Sequence, residues 1–425
     1  MGADSPAPRV CAFHTPPVPT AVFAAPFLLD ATLRFVDAAA SLPGVRLALI
    51  SQDPVEKIPA RLRERLAAYW RIEDGTDAQQ IADATRGLAG RLGDVDRLVG
   101  MLEQLQVPLG EVRDALGIPG MSAEVAHNFR DKSRMKDVFT AHGVPCAGHG
   151  VATSAQQASS IAGKLGLPVV VKPPAGAGAR GTFRIDTEDQ LGAWLRVDPP
   201  SAAAPALLEE LVSGAEHSFD SVCIGGLVVW HSISRYLPTP LEVLENPWIQ
   251  WAVLLPRFID GSEYDAIRKG AARGLQALGM DTGFSHMEWF RLGDGRIALS
   301  EVAARPPGAQ FTTLLSYAHD ADMYEAWARL EILGAFDPPL RRHAVGAVYL
   351  RGQGTGVVRG VHGLETLQHE LGDLVVEARL PVEGQPRSES YEGEGYVILR
   401  HHDTEVVAAG LRRVVEVARV ELGDG

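Results

Sequence analysis

The chain has 425 residues, a net charge of −13 and a sequence pI of about 5.5, with 46% apolar and 22% charged residues. This length allows two or three domains with large cores, and the acidic balance argues against a nucleic-acid partner, which usually demands a basic surface. The three cysteines lie far apart and form no CxxC pair, so neither a zinc site nor a disulfide framework is indicated. A reducing cytoplasm is therefore the expected location.

The first 120 residues alternate apolar runs with helical patterns. The runs 45–51 and 94–101 are typical of buried strands, and 107–120 is typical of a helix. This alternation predicts a parallel α/β layer, and no GxGxxG motif follows its first strand, so a dinucleotide site is not indicated. The apolar stretch 21–29 is short and contains Pro26. We therefore predict neither a signal peptide nor a membrane span there.

Helix signals follow in the next segment. Asn128 is suited to cap a helix over 128–143, because its side chain can accept a hydrogen bond from the first helical turn. Thr153 with Gln156 has the spacing of a capping box, which predicts that a second helix begins there.

The stretch VVVKPPAGAGARGT (169–182) joins two predicted strands, so its glycine loop is the tip of a hairpin and not a helix-capping phosphate loop. Glycine N–H groups at such a tip can close over an anion, although an ordinary surface hairpin has the same pattern. Lys172 favours an anion, because a lysine that ends an otherwise apolar strand needs a partner of opposite charge.

A second hairpin carries two carboxylates. Both FSHMEWFR and RIALSEV alternate like strands, and Asp294-Gly295 between them is a strong turn signal. A two-residue turn there places Glu288 directly opposite Glu301, with Cβ atoms roughly 5 Å apart. A divalent cation with oxygen ligands, Mg²⁺ or Mn²⁺, would relieve their repulsion. A shared proton or a neighbouring arginine would serve the pair equally well.

Arg305 follows Glu301 by four residues and directly precedes Pro306-Pro307-Gly308. An arginine beside a metal site can grip phosphate or carboxylate oxygens at two points. The alternative is a structural ion pair between Arg305 and one of the two glutamates.

Taken in order, these motifs resemble the ATP-grasp superfamily of carboxylate–amine (or thiol) ligases, over about residues 40–335. The order is NFRDKSRMK, VVVKPPAGAGARGT, LLEELVSGAEHSFDSV, the two-glutamate hairpin, and then the arginine. The resemblance implies an α/β and α+β architecture with three parts. These are an N-terminal parallel α/β domain (1–120), an ATP-grasp domain (121–338) with a mobile lid at about 145–212, and a C-terminal α+β lobe (339–425).

The resemblance also implies roles for individual residues. Lys132 and Lys172 would contact nucleotide phosphates, Glu288 and Glu301 would hold Mg²⁺ or Mn²⁺, and Arg305 would steady the transferring group. Arg235 is the predicted second grip on a substrate carboxylate. The remaining predicted nucleotide contacts are the loop residues Gly176, Ala177, Gly178 and Gly181, the base contacts Glu209, Glu210, Leu211 and Val212, and the ribose neighbour Glu216.

The implied function is an ATP-dependent carboxylate–amine ligase, with an amino-acid ligase as the favoured sub-class. Its substrates would be a small carboxylate and a small amine, without a nucleic-acid or membrane partner, and a homodimer is common in the superfamily. A carboxylase-type enzyme that uses carboxyphosphate and a nucleotide-binding protein without turnover are the alternatives. The chain departs from the family at Ala303, where asparagine is usual two residues after the second metal glutamate, and this leaves the number of metal ions open.

Overall fold

The computed structural model describes residues 18–176, 181–246 and 249–423. The N-terminal part is an α/β layer, as its alternating pattern predicts. Its elements are β1 (Thr20–Ala24), α1 (Asp30–Ala40), β2 (Arg46–Ser51), α2 (Ala60–Arg63), β3 (Ala68–Arg71), α3 (Ala78–Leu92), β4 (Arg97–Val99) and α4 (Gln106–Leu116). The strands form a parallel sheet in the order β3-β2-β1-β4. Alternate residues of β1 and β2 belong to two different hydrophobic cores, which explains why both strands are apolar throughout.

Two helices and a small sheet come next. The elements are α5 (Ala123–Arg130), α6 (Lys132–Ala141), β5 (His149–Ala152), α7 (Ala155–Leu165), β6 (Val169–Lys172), β7 (Phe183–Ile185), α8 (Glu188–Val197) and β8 (Ala206–Glu210). The strands form an antiparallel sheet in the order β5-β8-β6-β7. Strands β6 and β7 pair directly, so the glycine loop joins two strands of a hairpin, as predicted.

The two helix starts predicted in this segment were wrong. Two helices, α5 and α6, meet at Asp131, which is the N-cap of α6. Its side chain accepts hydrogen bonds from the N–H groups of Ser133 and Arg134 at 2.9 and 3.1 Å. Asn128 lies inside α5. The N-cap of α7 is Ser154 instead of Thr153. Aspartate and serine are strong N-caps in their own right, so the correct caps were one and three residues away from the predicted ones.

The largest sheet has eight strands, in the order β13-β12-β9-β10-β11-β14-β18-β17, and all of its pairs are antiparallel. The central elements are β9 (Gly214–Ile224), β10 (Leu227–Leu237), α9 (Pro240–Glu245), β11 (Trp251–Leu255), α10 (Asp265–Leu278), β12 (Gly283–Leu292), β13 (Ile297–Ala303), α11 (Phe311–His319) and α12 (Met323–Leu333).

The C-terminal segment contributes three strands to this same sheet. Its elements are β14 (Ala344–Leu350), β15 (Gly352–Gln353), β16 (Val357–His362), α13 (Leu364–Leu371), β17 (Val375–Arg379), β18 (Gly395–His401), α14 (Thr404–Val417) and β19 (Arg419–Gly423). Strand β14 pairs with β11, so the predicted boundary at 338/339 falls inside one continuous sheet. The division into three domains stays a prediction. Within the residues described, none of the helices combines the length and the apolar character that a membrane crossing requires.

Candidate active site

One cavity of about 440 Å³ collects most of the side chains singled out by the sequence. It lies between helix α6, the small sheet that contains β6 and β8, and one face of the eight-stranded sheet. The predicted residues that line it are Lys132, Lys172, Gly176, Glu209, Glu210, Leu211, Val212, Glu216, Glu288, Glu301 and Arg305. Residues separated by more than 170 positions in the chain therefore meet at one place.

The glycine loop borders this cavity at its first residues. The carbonyl oxygen of Gly176 accepts hydrogen bonds from Arg130 Nη1 at 2.8 Å and Lys132 Nζ at 3.2 Å. Gly181 has a φ of 69°, a left-handed conformation that glycine adopts without strain, but it does not line the cavity. The predicted contacts Ala177 and Gly178 lie outside the described residues.

Two lysines flank a buried carboxylate at one end of the cavity. Lys172 Nζ lies 3.0 Å from Glu209 Oε2, and Lys136 Nζ lies 3.5 Å from the same oxygen. Among the described residues, neither Lys136 Nζ nor Glu209 Oε1 has a hydrogen-bond partner, although both atoms are buried. Within this described part of the chain, Lys136 Nζ has only the 3.5 Å ion pair, and buried polar groups are normally hydrogen-bonded, so these two atoms are available to a ligand with both a donor and an acceptor.

Opposite pKa shifts follow from this arrangement. Burial lowers the pKa of Lys136, which is completely enclosed, against the opposing attraction of Glu209. Burial also disfavours the charged form of Lys172, but Glu209 and Glu301 outweigh it and raise the pKa of this lysine. Burial likewise opposes the charged form of Glu209, yet the two lysines outweigh it and lower the pKa of this carboxyl.

The backbone N–H groups that follow Glu209 already make hydrogen bonds within the protein. The N–H groups of Glu210 and Leu211 donate to the carbonyls of Gly148 at 2.9 Å and Pro168 at 3.3 Å. A Glu210 carboxylate oxygen also accepts from the N–H of Gly148 at 2.8 Å. Any ligand contact made by the backbone of these two residues would therefore use their carbonyl oxygens.

The two carboxylates of the second hairpin face one another as predicted. Glu288 on β12 pairs in register with Glu301 on β13. The turn itself differs from the prediction, because Leu292 pairs with Arg296 through a three-residue loop that ends at Gly295, with a φ of 85°. This shifts the register by one residue, and a β-bulge between the turn and the glutamates shifts it back.

The charges around the pair are unequal. Lys132 Nζ lies 2.8 Å from Glu301 Oε1, and this ion pair with Lys172 nearby lowers the pKa of Glu301 despite its burial. Burial and the negative charge of Glu301 raise the pKa of Glu288. Burial and the negative charge of Glu288 also raise the pKa of Glu216, well above the usual range. The cavity therefore concentrates carboxylates that need positive charge.

Arg305 is held by a residue that the sequence did not suggest. Its Nε atom donates to Glu103 Oε2 at 2.6 Å, and Nη1 donates to the carbonyl of Pro306 at 2.9 Å. Glu103 is buried, with 7% of its surface exposed, and its other oxygen lies 4.0 Å from Arg130 Nη1. The ion pair of Arg305 is thus made with Glu103 in the N-terminal part of the chain, and not with a hairpin glutamate as the alternative interpretation had it.

Arg235 is a predicted site residue that lies away from the cavity. It pairs with His217 on β9, whereas Ser234 pairs with Ser218, which in turn pairs with Glu288. Because successive side chains of a strand point to opposite faces, Arg235 lies on the face away from Glu288. Its guanidinium donates to the hydroxyl of Tyr264 at 3.0 Å. The prediction for Arg235 was therefore wrong, and its neighbour Tyr236 lines the cavity instead.

Three polar residues that lie next to predicted site residues were not identified from the sequence. Lys136 follows Lys132 by four residues, so the helical period could have placed both on one face of α6. His286 precedes Glu288 by two residues on β12, so the strand period could have placed it on the same face. Glu103 carries no local signal, because only the folded chain brings it to Arg305.

The chain is similar in sequence to several known proteins. No family model matches the chain. It is 23% identical over 247 residues to an L-arginine-specific L-amino acid ligase of Bacillus subtilis, covering 57% of this chain and 59% of that protein. It is 27% identical over 275 residues to the carbamoyl phosphate synthase large chain of Mycobacterium bovis, covering 62% of this chain and 23% of that protein. The chain thus spans between about a quarter and three fifths of the length of these curated relatives.

Solved structures are similar over nearly the whole chain. The crystal structure of an L-amino acid ligase from Bacillus licheniformis superimposes with a TM-score of 0.75 at 18% identity, covering 95% of this chain and 98% of that one. The chain has the ATP-grasp fold. An N5-carboxyaminoimidazole ribonucleotide synthetase from Thermotoga maritima also has a similar structure, with a TM-score of 0.65 at 19% identity. The match covers 95% of this chain and 99% of the synthetase. The predicted resemblance is confirmed at this level.

Proposed function

We propose that this ATP-grasp protein is an ATP-dependent ligase that joins a small carboxylate to a small amine and releases ADP and phosphate. The observation that carries the proposal is the meeting of the Glu288/Glu301 pair with Lys132, Lys172 and Arg305 in one cavity. Each group on its own has a structural explanation. Together they offer two carboxylates for a metal ion and three cations for phosphate and carboxylate oxygens.

The buried end of the cavity fits a nucleotide base. Glu209 Oε1 can accept a hydrogen bond from an exocyclic amino group, and Lys136 Nζ can donate to a ring nitrogen. Lys172 lies between this end and the glutamate pair. Its Nζ atom is 3.0 Å from Glu209, and the negative charges of Glu209 and Glu301 both raise its pKa. In this proposal ATP binds with its adenine beside Glu209 and its phosphates beside Lys172 and Lys132.

The glutamate pair fits a hard divalent cation such as Mg²⁺ or Mn²⁺. Among the residues that the structure describes, no three His, Cys, Asp or Glu side chains converge as a preformed metal centre. Two facing carboxylates nevertheless suffice, because Mg²⁺ at nucleotide sites usually takes one or two carboxylates and completes its shell with phosphate oxygens and water. The metal ion supplies positive charge that neutralises the phosphate oxygens.

The chemistry needs positioned charges more than a nucleophilic side chain. The substrate carboxylate attacks the γ-phosphorus, the bond to the β-phosphate oxygen breaks, and an acyl phosphate and ADP form. The amine then attacks the acyl carbon, loses a proton, and phosphate leaves as the amide forms. Lys132 and Lys172 would hold the phosphate oxygens throughout, and Arg305 would orient the acyl phosphate from its anchor on Glu103.

An amino-acid ligase is the favoured sub-class. Support comes from the sequence likeness to the arginine-specific ligase and to an alanine–anticapsin ligase of Bacillus subtilis, at 24% identity over 261 residues, and from the fold likeness to the Bacillus licheniformis enzyme. A carboxylase-type reaction through carboxyphosphate is the second candidate, favoured by the carbamoyl phosphate synthase and N5-carboxyaminoimidazole ribonucleotide synthetase relatives. A cytoplasmic location and a homodimer remain part of the proposal.

Substrate pools give the direct test of this proposal. We expect magnesium-dependent ADP release from ATP when the protein is mixed with a pool of amino acids, with amide products detected by mass spectrometry. ADP release that needs bicarbonate and yields no amide would favour the carboxylase. A protein that binds ATP but releases no ADP with any pool of carboxylates, amines or bicarbonate would instead be a nucleotide-binding protein without turnover.

The Glu103–Arg305 contact leads to a second expected result. Glu103→Gln removes the charge that fixes Arg305, so we expect kcat to fall about 10- to 100-fold, as for small misplacements of an orienting group, with a smaller change in KM for ATP. Glu103→Asp should restore part of the loss. Glu111→Gln, on the exposed face of the same N-terminal part, is the matched control. A normal kcat for Glu103→Gln would show that Arg305 needs no such anchor.

A further inference from the structure

A histidine and its own carboxylate partner stand beside the glutamate pair. His286 Nδ1 lies 2.6 Å from Asp220 Oδ1 on the neighbouring strand β9. Its other nitrogen, Nε2, lies 4.0 Å from Glu288 Oε1 and 3.4 Å from the hydroxyl of Tyr236. Asp220 is itself fixed, because its second oxygen accepts from the Ser218 hydroxyl at 3.0 Å. The imidazole therefore has one anchored nitrogen and one nitrogen on the cavity side.

We propose that His286 is a further protein ligand of the divalent cation, acting with Glu288 and oriented by Asp220. This inference rests on the proposed metal–nucleotide site and adds an imidazole nitrogen to its carboxylate oxygens. It gives the site a nitrogen donor that the sequence motifs alone did not indicate.

The hydrogen bond to Asp220 selects the correct tautomer. A neutral imidazole that donates from Nδ1 to a carboxylate carries its lone pair on Nε2. Metal-bound histidines almost always donate their other N–H to a carboxylate, a carbonyl or a water, and this second contact fixes the plane of the ring. Asp220 is only 2% exposed, so solvent does not compete for the bond.

The spacing of the donor atoms is suitable. Two donors that each lie about 2.1 Å from one metal ion are about 3.0 to 4.2 Å apart, depending on the angle between them. The 4.0 Å between His286 Nε2 and Glu288 Oε1 falls inside this interval. This separation allows both atoms to contact one cation that lies nearly between them.

The residue opposite His286 leaves room for this contact. Ala303 pairs in register with His286 across β12 and β13, and it lines the cavity. It is also the position at which the superfamily usually has a metal-binding asparagine. Directly paired residues on one face have Cβ atoms only about 4.5 to 5.5 Å apart, so His286 begins beside the position from which that asparagine would reach the metal ion. In this proposal, His286 takes the place of that ligand.

Two contacts must change when the cation binds. Lys132 now neutralises Glu301 and would move toward the phosphates. The Tyr236 hydroxyl, which lies 3.4 Å from His286 Nε2, would give up this contact to the metal ion.

Electron paramagnetic resonance of bound Mn²⁺ tests the proposal directly. The full-length protein is loaded with Mn²⁺ and ADP, and electron spin-echo modulation is recorded on protein made with ordinary histidine and with ¹⁵N-labelled histidine. We expect modulation from a directly coordinated nitrogen, with the frequencies changed by the label. This measurement needs no substitution, so it does not depend on whether a variant folds.

Variants assign the nitrogen to one residue. His286→Gln should abolish the modulation and weaken Mn²⁺ binding in the presence of ADP about 10-fold or more. Asp220→Asn should keep the nitrogen signal but weaken Mn²⁺ affinity about 10- to 100-fold, as for other residues that support a metal-bound histidine. His362→Gln, at an exposed histidine paired with Glu421 in the C-terminal segment, is the matched control and should leave both unchanged.

The outcomes separate this inference from the proposed function. Tight Mn²⁺–ADP binding without nitrogen modulation, or with modulation retained in His286→Gln, overturns the histidine ligand and leaves the ligase proposal intact. Nitrogen modulation together with no ADP release from any substrate pool supports the ligand and overturns the ligase. Absence of any Mn²⁺–ADP complex overturns both.

Discussion

Lys172→Met is expected to reduce kcat/KM for ATP by at least about 100-fold, in line with the loss of one preorganised charge at a transferring phosphate. Lys172 ends β6 and lies 3.0 Å from Glu209, and Glu301 also contributes to its raised pKa. It is therefore the one described cation that joins the proposed base end of the cavity to the carboxylate pair. Steady-state ADP release and calorimetric ATP binding measure the effect.

Two other variants separate charge from folding in this experiment. Removing one partner of a buried ion pair destabilises proteins by about 3 to 5 kcal/mol, so thermal unfolding must be measured alongside activity. Lys172→Arg keeps the charge and should retain more ATP affinity than Lys172→Met. Lys164→Met, at an exposed lysine of α7, is the matched control. Unchanged ATP affinity and rate in a folded Lys172→Met protein would remove Lys172 from the site.

Glu301→Gln is expected to shift the metal dependence of turnover, with about 10- to 100-fold more Mg²⁺ needed for half-maximal ADP release. The substitution removes one of the two facing carboxylates and leaves Lys132 without its 2.8 Å partner. The excess positive charge should repel the cation, so the defect should be largest at low Mg²⁺ and partly overcome at high Mg²⁺. A Mg²⁺ titration at saturating ATP measures it.

The control for this titration is a carboxylate outside the cavity. Glu188→Gln makes the same substitution at an exposed glutamate in the first turn of α8 and should leave the Mg²⁺ dependence of turnover unchanged. A Glu301→Gln protein with a normal Mg²⁺ titration would contradict the view that the facing carboxylates hold the metal ion. The pair would then be a structural feature, balanced by Lys132.

The hairpin shows both the strength and the limit of inference from sequence. Alternation over β12 and β13 and the turn between them were enough to place Glu288 opposite Glu301. The detailed path was wrong, because the loop has three residues and a bulge follows it. Glu288 still lies opposite Glu301 because the extra loop residue and the bulge shift the strand register by one residue in opposite directions. A shift of one residue that is not compensated would move every side chain of the strand to the other face of the sheet.

The position of Arg235 and the partner of Arg305 could not be obtained in this way. Whether Arg235 or Tyr236 faces the cavity depends on the register of β10 against β9, and no local pattern sets that register. Glu103 meets Arg305 across 202 residues of chain, through the packing of two separate sheets. Contacts of this kind depend on how whole layers of secondary structure pack against each other. The residues next to Glu103 and Arg305 in the sequence do not indicate this packing.

The sequence by itself determined the order of the elements, the fold class, the lysine at the end of β6 and the facing glutamates. The order of the elements, the lysine and the glutamate pair follow from periodicity and local motifs, whereas the fold class follows from the resemblance that the ordered motifs carry over about residues 40–335. Only the tertiary structure decided that α6 adds Lys136 to the lysine–glutamate cluster, that Glu103 contacts Arg305, and that His286 lies between Asp220 and Glu288. The physical reason is burial: a charge without water needs a partner, and the fold decides which distant residue is near enough to provide it.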